Sequence, residues 1–173
     1  MLKEMNMRKW LIGAGLIAVT LIVALLIFVT VTKEEQGSED QRAMILSLYD
    51  HENVSVKWSD SGRWEIYDTD GELSEYVYFG MGQGYAGPVR VLAFTSPEGL
   101  ITKVYPYEHE ETPSFFALLY QNNFLERVEG LSAPDFDREK LQVDVVSGAT
   151  VSCEAILTAL SRSFSGATVA EGH

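Results

Sequence analysis

From Trp10 to Val31 the chain runs through "WLIGAGLIAVTLIVALLIFVTV", 22 residues without a charge. At ~1.5 Å per helical residue, such a run crosses a hydrocarbon layer about 30 Å thick. A cleaved signal peptide would show a shorter apolar region, about 7–15 residues, closed by a small-x-small site. Neither is present: the run ends in "TVTKEEQ", and no cysteine stands after it to carry a lipid. A retained single-pass transmembrane helix is therefore expected over 10–31. Lys3, Arg8 and Lys9 precede it, whereas Lys33 is followed at once by Glu34 and Glu35. By the positive-inside bias, residues 1–9 are expected in the cytoplasm and the rest outside the cell (inner) membrane.

Charge divides the chain at the same place. Three of the 13 basic residues and one of the 25 acidic ones precede residue 32, so the remainder carries 10 against 24, a net charge of −14. Phosphates would repel such a surface, which argues against nucleic acid as a partner. The lone Cys153 excludes an intramolecular disulfide or a thiolate-bound cluster, and His51, His109 and His173 lack metal-ligand spacing. No metal is expected, and the outer domain has to be held by its core.

The expected order begins with a juxtamembrane stretch, 32–52. In it Ser38 and Gln41 resemble a capping box, and Met44, Ile45, Leu48 and Tyr49 recur at helical spacing, which gives a short helix over about 39–50. Alternating segments at 53–58, 63–68 and 74–80, separated by Ser-Asp-Ser-Gly and Asp-Thr-Asp-Gly, read as an antiparallel meander. Beyond glycine-rich "GMGQGYAG" (80–87), the segments 88–95 and 100–107 flank another hairpin turn, Ser-Pro-Glu-Gly. After Pro113 a helix with Phe115, Leu118, Leu119 and Leu125 on its apolar face is expected to run to a C-cap at Gly130. A last short strand is expected at 141–146. Cys153, Ile156, Leu157, Leu160 and Phe164 then form the stripe of a helix over 151–164, packed on the sheet, with Cys153 a small buried hydrophobe. The fold class is α+β: an N-terminal transmembrane helix, then a domain at 53–165 with an antiparallel sheet and packed helices, and a tail at 166–173.

The chemistry is concentrated in "DVVSGATVSCEAILTAL", residues 144–160. Ser147-Gly148-Ala149-Thr150 is a turn of small residues directly before a helix. A helix N-terminus leaves its first donors unpaired and carries partial positive charge, and small side chains let an anion come close. Residue type alone leaves a second reading open, that Thr150 is simply an N-cap.

"DVVSGATVS" resembles the Asp-x-x-[Ser/Thr]-Gly-Ala-[Thr/Ser] signature of the FMN-binding domain family. That family includes the G subunit of the Rnf electron-transport complex and the C subunit of sodium-translocating NADH:quinone oxidoreductase. "GQGYAGPVRVLAFTSPEGLITKV" is similar to the family's Gly-Tyr-x-Gly strand pair through Gly84, Tyr85 and Gly87. "EHEETP" is similar to its His-x-Glu-Thr-Pro segment through His109, Glu111, Thr112 and Pro113. The likeness covers about 76–165.

The resemblance implies FMN held covalently through a phosphoester on the hydroxyl of Thr150, with Asp144, Ser147, Gly148 and Ala149 completing the attachment signature. It further implies that Gly84, Tyr85, Glu111 and Thr112 belong to the flavin site. Maturation would use a separate, magnesium-dependent flavin transferase that moves FMN from FAD, so Thr150 is an acceptor and no residue of the chain is catalytic. The implied function is an extracytoplasmic electron relay within an Rnf-type ion-translocating complex, of the ferredoxin:NAD oxidoreductase type, partnered by its other membrane redox subunits. A stand-alone flavinylated carrier and a non-redox binding or assembly subunit of the same fold are the alternatives. A flat flavin ring wants aromatic or aliphatic walls, for which Tyr85, Phe115 and Phe116 are candidates. Glu111 and Thr112 have a plain second role as the cap of the following helix, and His109 as an exposed loop residue. Where the family continues Glu-Thr-Pro-Gly, this chain has Ser114, so the loop is expected to be reshaped if that position needs positive φ.

Overall fold

The structure, a computed structural model, describes residues 39–49 and 54–168. Residues up to Asp50 and residues from His51 onward are separate compact units. In the first, residues 39–47 form a helix, α1, over most of the length its apolar spacing predicts. The apolar run 10–31 lies outside the described residues. Among those described, no helix is long and apolar enough to cross a membrane.

The second unit is built on an antiparallel meander, β1 (Ser55–Trp58), β2 (Trp64–Tyr67), β3 (Leu73–Gln83), β4 (Pro88–Thr95) and β5 (Ile101–Glu108), with neighbours in space following chain order. Three of its four connections share one chemistry. In Ser59–Gly62, Asp68–Gly71 and Ser96–Gly99 the glycine amide donates to the carbonyl three residues back, at 3.1, 3.2 and 2.9 Å, with the glycine at φ +75°, +81° and +85°. This is a type I turn followed by a left-handed residue, which only glycine adopts cheaply, and it fixes the register of each hairpin.

The glycine-rich segment 80–87 does not end the strand where its composition suggests; β3 continues through Gly80 and Gly82 to Gln83. The cause is the helix packed over it. A Cβ on Gly80 would lie 2.5 Å from the Ala159 carbonyl oxygen, and one on Gly82 would lie 1.9 Å from that of Ala155. Glycine here serves close backbone approach.

That helix is α3 (Thr150–Thr168). All five residues of its predicted stripe, Cys153, Ile156, Leu157, Leu160 and Phe164, are buried against the sheet face that carries Tyr78, Val89, Val91, Ala93 and Val104. Each fully buried Ile or Leu contributes about 1.5–3 kcal/mol. Phe164 meets Tyr78 and Phe136 edge-on at 5.1 and 5.5 Å, closing the far end of the core.

Two expected elements differ. The helix after Pro113, α2 (Pro113–Gln121), stops well short of Gly130. The Asn122 side chain donates to the Leu118 carbonyl, competing with helix continuation, and Asn123 turns left-handed at φ +52°. A short 3₁₀ turn, Leu125–Arg127, follows. Segment 141–146 forms no strand. Its inward residues Val143, Val145 and Val146 pack on the core, so the alternation records one-sided burial. At the outer edge of β5, Ile101 is already bonded by Gly130 and Leu131.

Candidate functional site

Val146 is buried, and its carbonyl accepts from the Ala149 amide at 3.0 Å, which closes the turn that launches α3. Gly148 makes this possible at φ +85°; a Cβ there would be strained and would also press on Leu118 Cδ1 at 3.2 Å. The Ala149 carbonyl accepts from Cys153 at 2.9 Å, so Ala149 holds the N-cap position and Thr150 is the first helical residue. Thr150 is therefore not the N-cap. Its exposed side chain makes one long bond, Oγ1 to the Val146 carbonyl at 3.4 Å, which costs little to give up. The amides of the first turn have no carbonyl four residues back within the helix to take them.

Beside this turn lies a pocket of about 350 Å³, within the range of small-molecule sites. Residues Gly148 to Ser152 line one side; Tyr85, Glu111, Thr112 and Phe115 line the other. Tyr85 is 84% exposed and Phe115 55% exposed. Two rings standing this far into solvent are apolar walls without a core to cover them. Thr112 occupies the N-cap position of α2, its carbonyl accepting from Phe115 and Phe116 at 3.0 Å, yet its side chain makes no capping bond. Its hydroxyl is thus not consumed by the helix.

Glu111 is buried, and it joins two segments. Oε1 accepts from the Ala86 amide at 2.8 Å, while Oε2 accepts from the Ser152 hydroxyl. A Cβ on Gly84 would lie 2.6 Å from Oε1, so Gly84 makes room for the carboxylate and does not itself line the pocket. Among the lining residues there is no Lys, Arg or His. An anion seated here would be held by backbone donors and the dipole of α3.

The structure thus brings Tyr85, Glu111, Thr112, Phe115, Gly148, Ala149 and Thr150 to one pocket. Ser147 is exposed outside its lining. Asp144 is exposed too, and its carbonyl accepts from Arg127 Nη1 at 2.7 Å. Phe116 is not a wall: it is buried and stacks on His109 with ring centroids 3.6 Å apart. His109 is accordingly half-buried, not a free loop residue. Ser114 falls in the first turn of α2 without positive φ, so the helix accepts serine there without strain. Ser152 escapes a reading by residue type, although a serine beside Cys153 at the head of an apolar stripe signals a buried hydroxyl in need of a partner.

Residues 84–165 match the family model described as FMN-binding domain. The G subunit of the ion-translocating oxidoreductase complex of Methanosarcina acetivorans is 29% identical over 147 residues, covering 80% of this chain and 78% of that protein. The crystal structure of Shewanella oneidensis NqrC superposes with a TM-score of 0.51 at 21% identity, over 70% of each chain. That last likeness shows the fold alone.

Proposed function

Because the chain belongs to the FMN-binding domain family through residues 84–165, we propose that the pocket at the start of α3 holds FMN, covalently attached through its phosphate to Thr150. The observation that carries this reading is the position of Thr150. An exposed, weakly bonded hydroxyl heads a helix whose first-turn residues line the pocket together with Tyr85 and Phe115.

The residues fit the group. Tyr85 and Phe115 offer flat apolar surface to a ring, Gly148 keeps the backbone close, and the first turn of α3 offers donors to a phosphate. Attachment forms a bond between Thr150 Oγ1 and phosphorus as the pyrophosphate bond of FAD breaks. AMP leaves, and the hydroxyl proton is released. A separate magnesium-dependent flavin transferase performs this step, so Thr150 is acceptor and not catalyst. Bound FMN supplies reversible one- and two-electron transfer. The chain contributes orientation, partial exclusion of water and permanent retention.

The run 10–31 acts as a membrane anchor, with the domain at 53–165 outside the cytoplasm; there, a dissociable cofactor would be lost and a covalent one is kept. The chain relays electrons among the other membrane redox subunits of an Rnf-type complex. The likeness to a G subunit over four-fifths of the chain supports this role. Coexpression with a flavin transferase tests the attachment: after denaturing electrophoresis the wild-type band should fluoresce as flavin and the Thr150→Val band should not. A fluorescent Thr150→Val band would place the attachment elsewhere.

A further inference from the structure

A carboxylate at 6% exposure is costly unless its oxygens accept hydrogen bonds, and those of Glu111 accept from two different segments. The Ser152 hydroxyl belongs to the first turn of α3, two residues from Thr150. The Ala86 amide, at 2.8 Å, belongs to the turn between β3 and β4, adjacent to Tyr85. Within that turn the Gly84 amide donates to the Gly87 carbonyl, at 2.9 Å. The Tyr85 ring is 84% exposed, so its place depends on the backbone beneath it.

We infer that Glu111 is a positioning residue, a brace between the Tyr85 turn and the Thr150 end of α3 that sets the width of the pocket between them. It acts through Ala86 and Ser152, each of which donates to one of its two oxygens. Gly84 belongs to the same device, because any side chain there would occupy the space of Oε1. The purpose assigned to the brace rests on the flavin reading, but the brace itself is measurable without flavin.

The test is amide hydrogen exchange on the full-length protein in detergent, prepared without a flavin transferase. Ser152 does not bond Ala86, so only a brace couples them. Ser152→Ala should speed exchange at Ala86 about three- to tenfold, the value of one lost hydrogen bond. Ser152→Thr, which keeps the hydroxyl, should restore the wild-type rate. Glu111→Leu should speed Ala86 about tenfold or more. The amides of Val91 and Ala93 in β4 should not change in any of these. If Glu111→Leu fails to fold, the Ser152 pair still decides. Unchanged exchange at Ala86 in Ser152→Ala would overturn the inference, as would acceleration of Val91 and Ala93 by the same factor. Intact mass of wild-type protein made with the transferase separates the two claims. Its failure to gain mass would sink the flavin reading and leave the exchange result standing.

Discussion

Replacing Gly82 by alanine tests how closely α3 is set on the sheet. The new Cβ would stand 1.9 Å from the Ala155 carbonyl oxygen and 2.7 Å from its carbon. Carbon-to-oxygen contacts normally stop near ~3.3 Å, so α3 has to retreat by roughly 1.4 Å at that point. Both sides are backbone, and no flexible side chain is available to yield. A gap of ~0.5–1 Å already forfeits a quarter to a half of each dispersion contact, and Cys153, Ile156 and Leu157 sit in the turn that moves. Overpacking of this kind costs about 1–3 kcal/mol, and this contact belongs at the upper end; lower entropy of the unfolded chain returns ~0.4–1 kcal/mol. The expected net loss is about 2–2.6 kcal/mol, a fall in Tm of about 8–10 °C for a domain of this size. Thermal unfolding of the full chain in detergent, followed by circular dichroism, measures it. Gly166→Ala, with nothing within 4 Å of its Cβ, is the control and should be neutral or slightly stabilising. A Gly82→Ala protein that melts within about 2 °C of wild type would refute the packing argument.

Gly148→Ala should cost about 1–2 kcal/mol through its left-handed backbone, seen as a lower urea midpoint, and should reduce flavin attachment by turning Thr150 away from its present direction. Burial pushes the Cys153 thiol up, so the folded state keeps that proton longer than the unfolded chain does. Its contribution to stability is complete below the ordinary thiol value of ~8.5 and is lost as pH rises toward the folded value. Melting temperatures from pH 7.5 to pH 10 should therefore fall further for wild type than for Cys153→Ala, and equal slopes would contradict the assignment.

The meander was legible because three of its four hairpins announce themselves twice, in alternating side chains and in a Ser or Asp placed three residues before glycine. The stripe of α3 was equally plain. What composition misreads are places where a second element decides. The run Gly80-Met81-Gly82 looks like loop until the carbonyls of Ala155 and Ala159 are set against it. The alternation at 141–146 looks like strand, although the one-sided burial of Val143 and Val145 produces the same pattern. Asn122 ends α2 through a local hydrogen bond that hydrophobic spacing does not register. At the candidate site, the glycine and threonine of the turn were readable by type. The pairing of Glu111 with Ser152, 41 residues apart in sequence, was not, because it exists only after β3, α2 and α3 have met.

A flavin phosphoester on Thr150 would show in the mass of the intact polypeptide in denaturant. Protein purified from a membrane that also contains a flavin transferase should be heavier than its sequence by about 438 Da, FMN less one water. Fragmentation should place that addition on Thr150. A polypeptide of unmodified mass, or an addition mapped to any other residue, would rule out the phosphoester at Thr150.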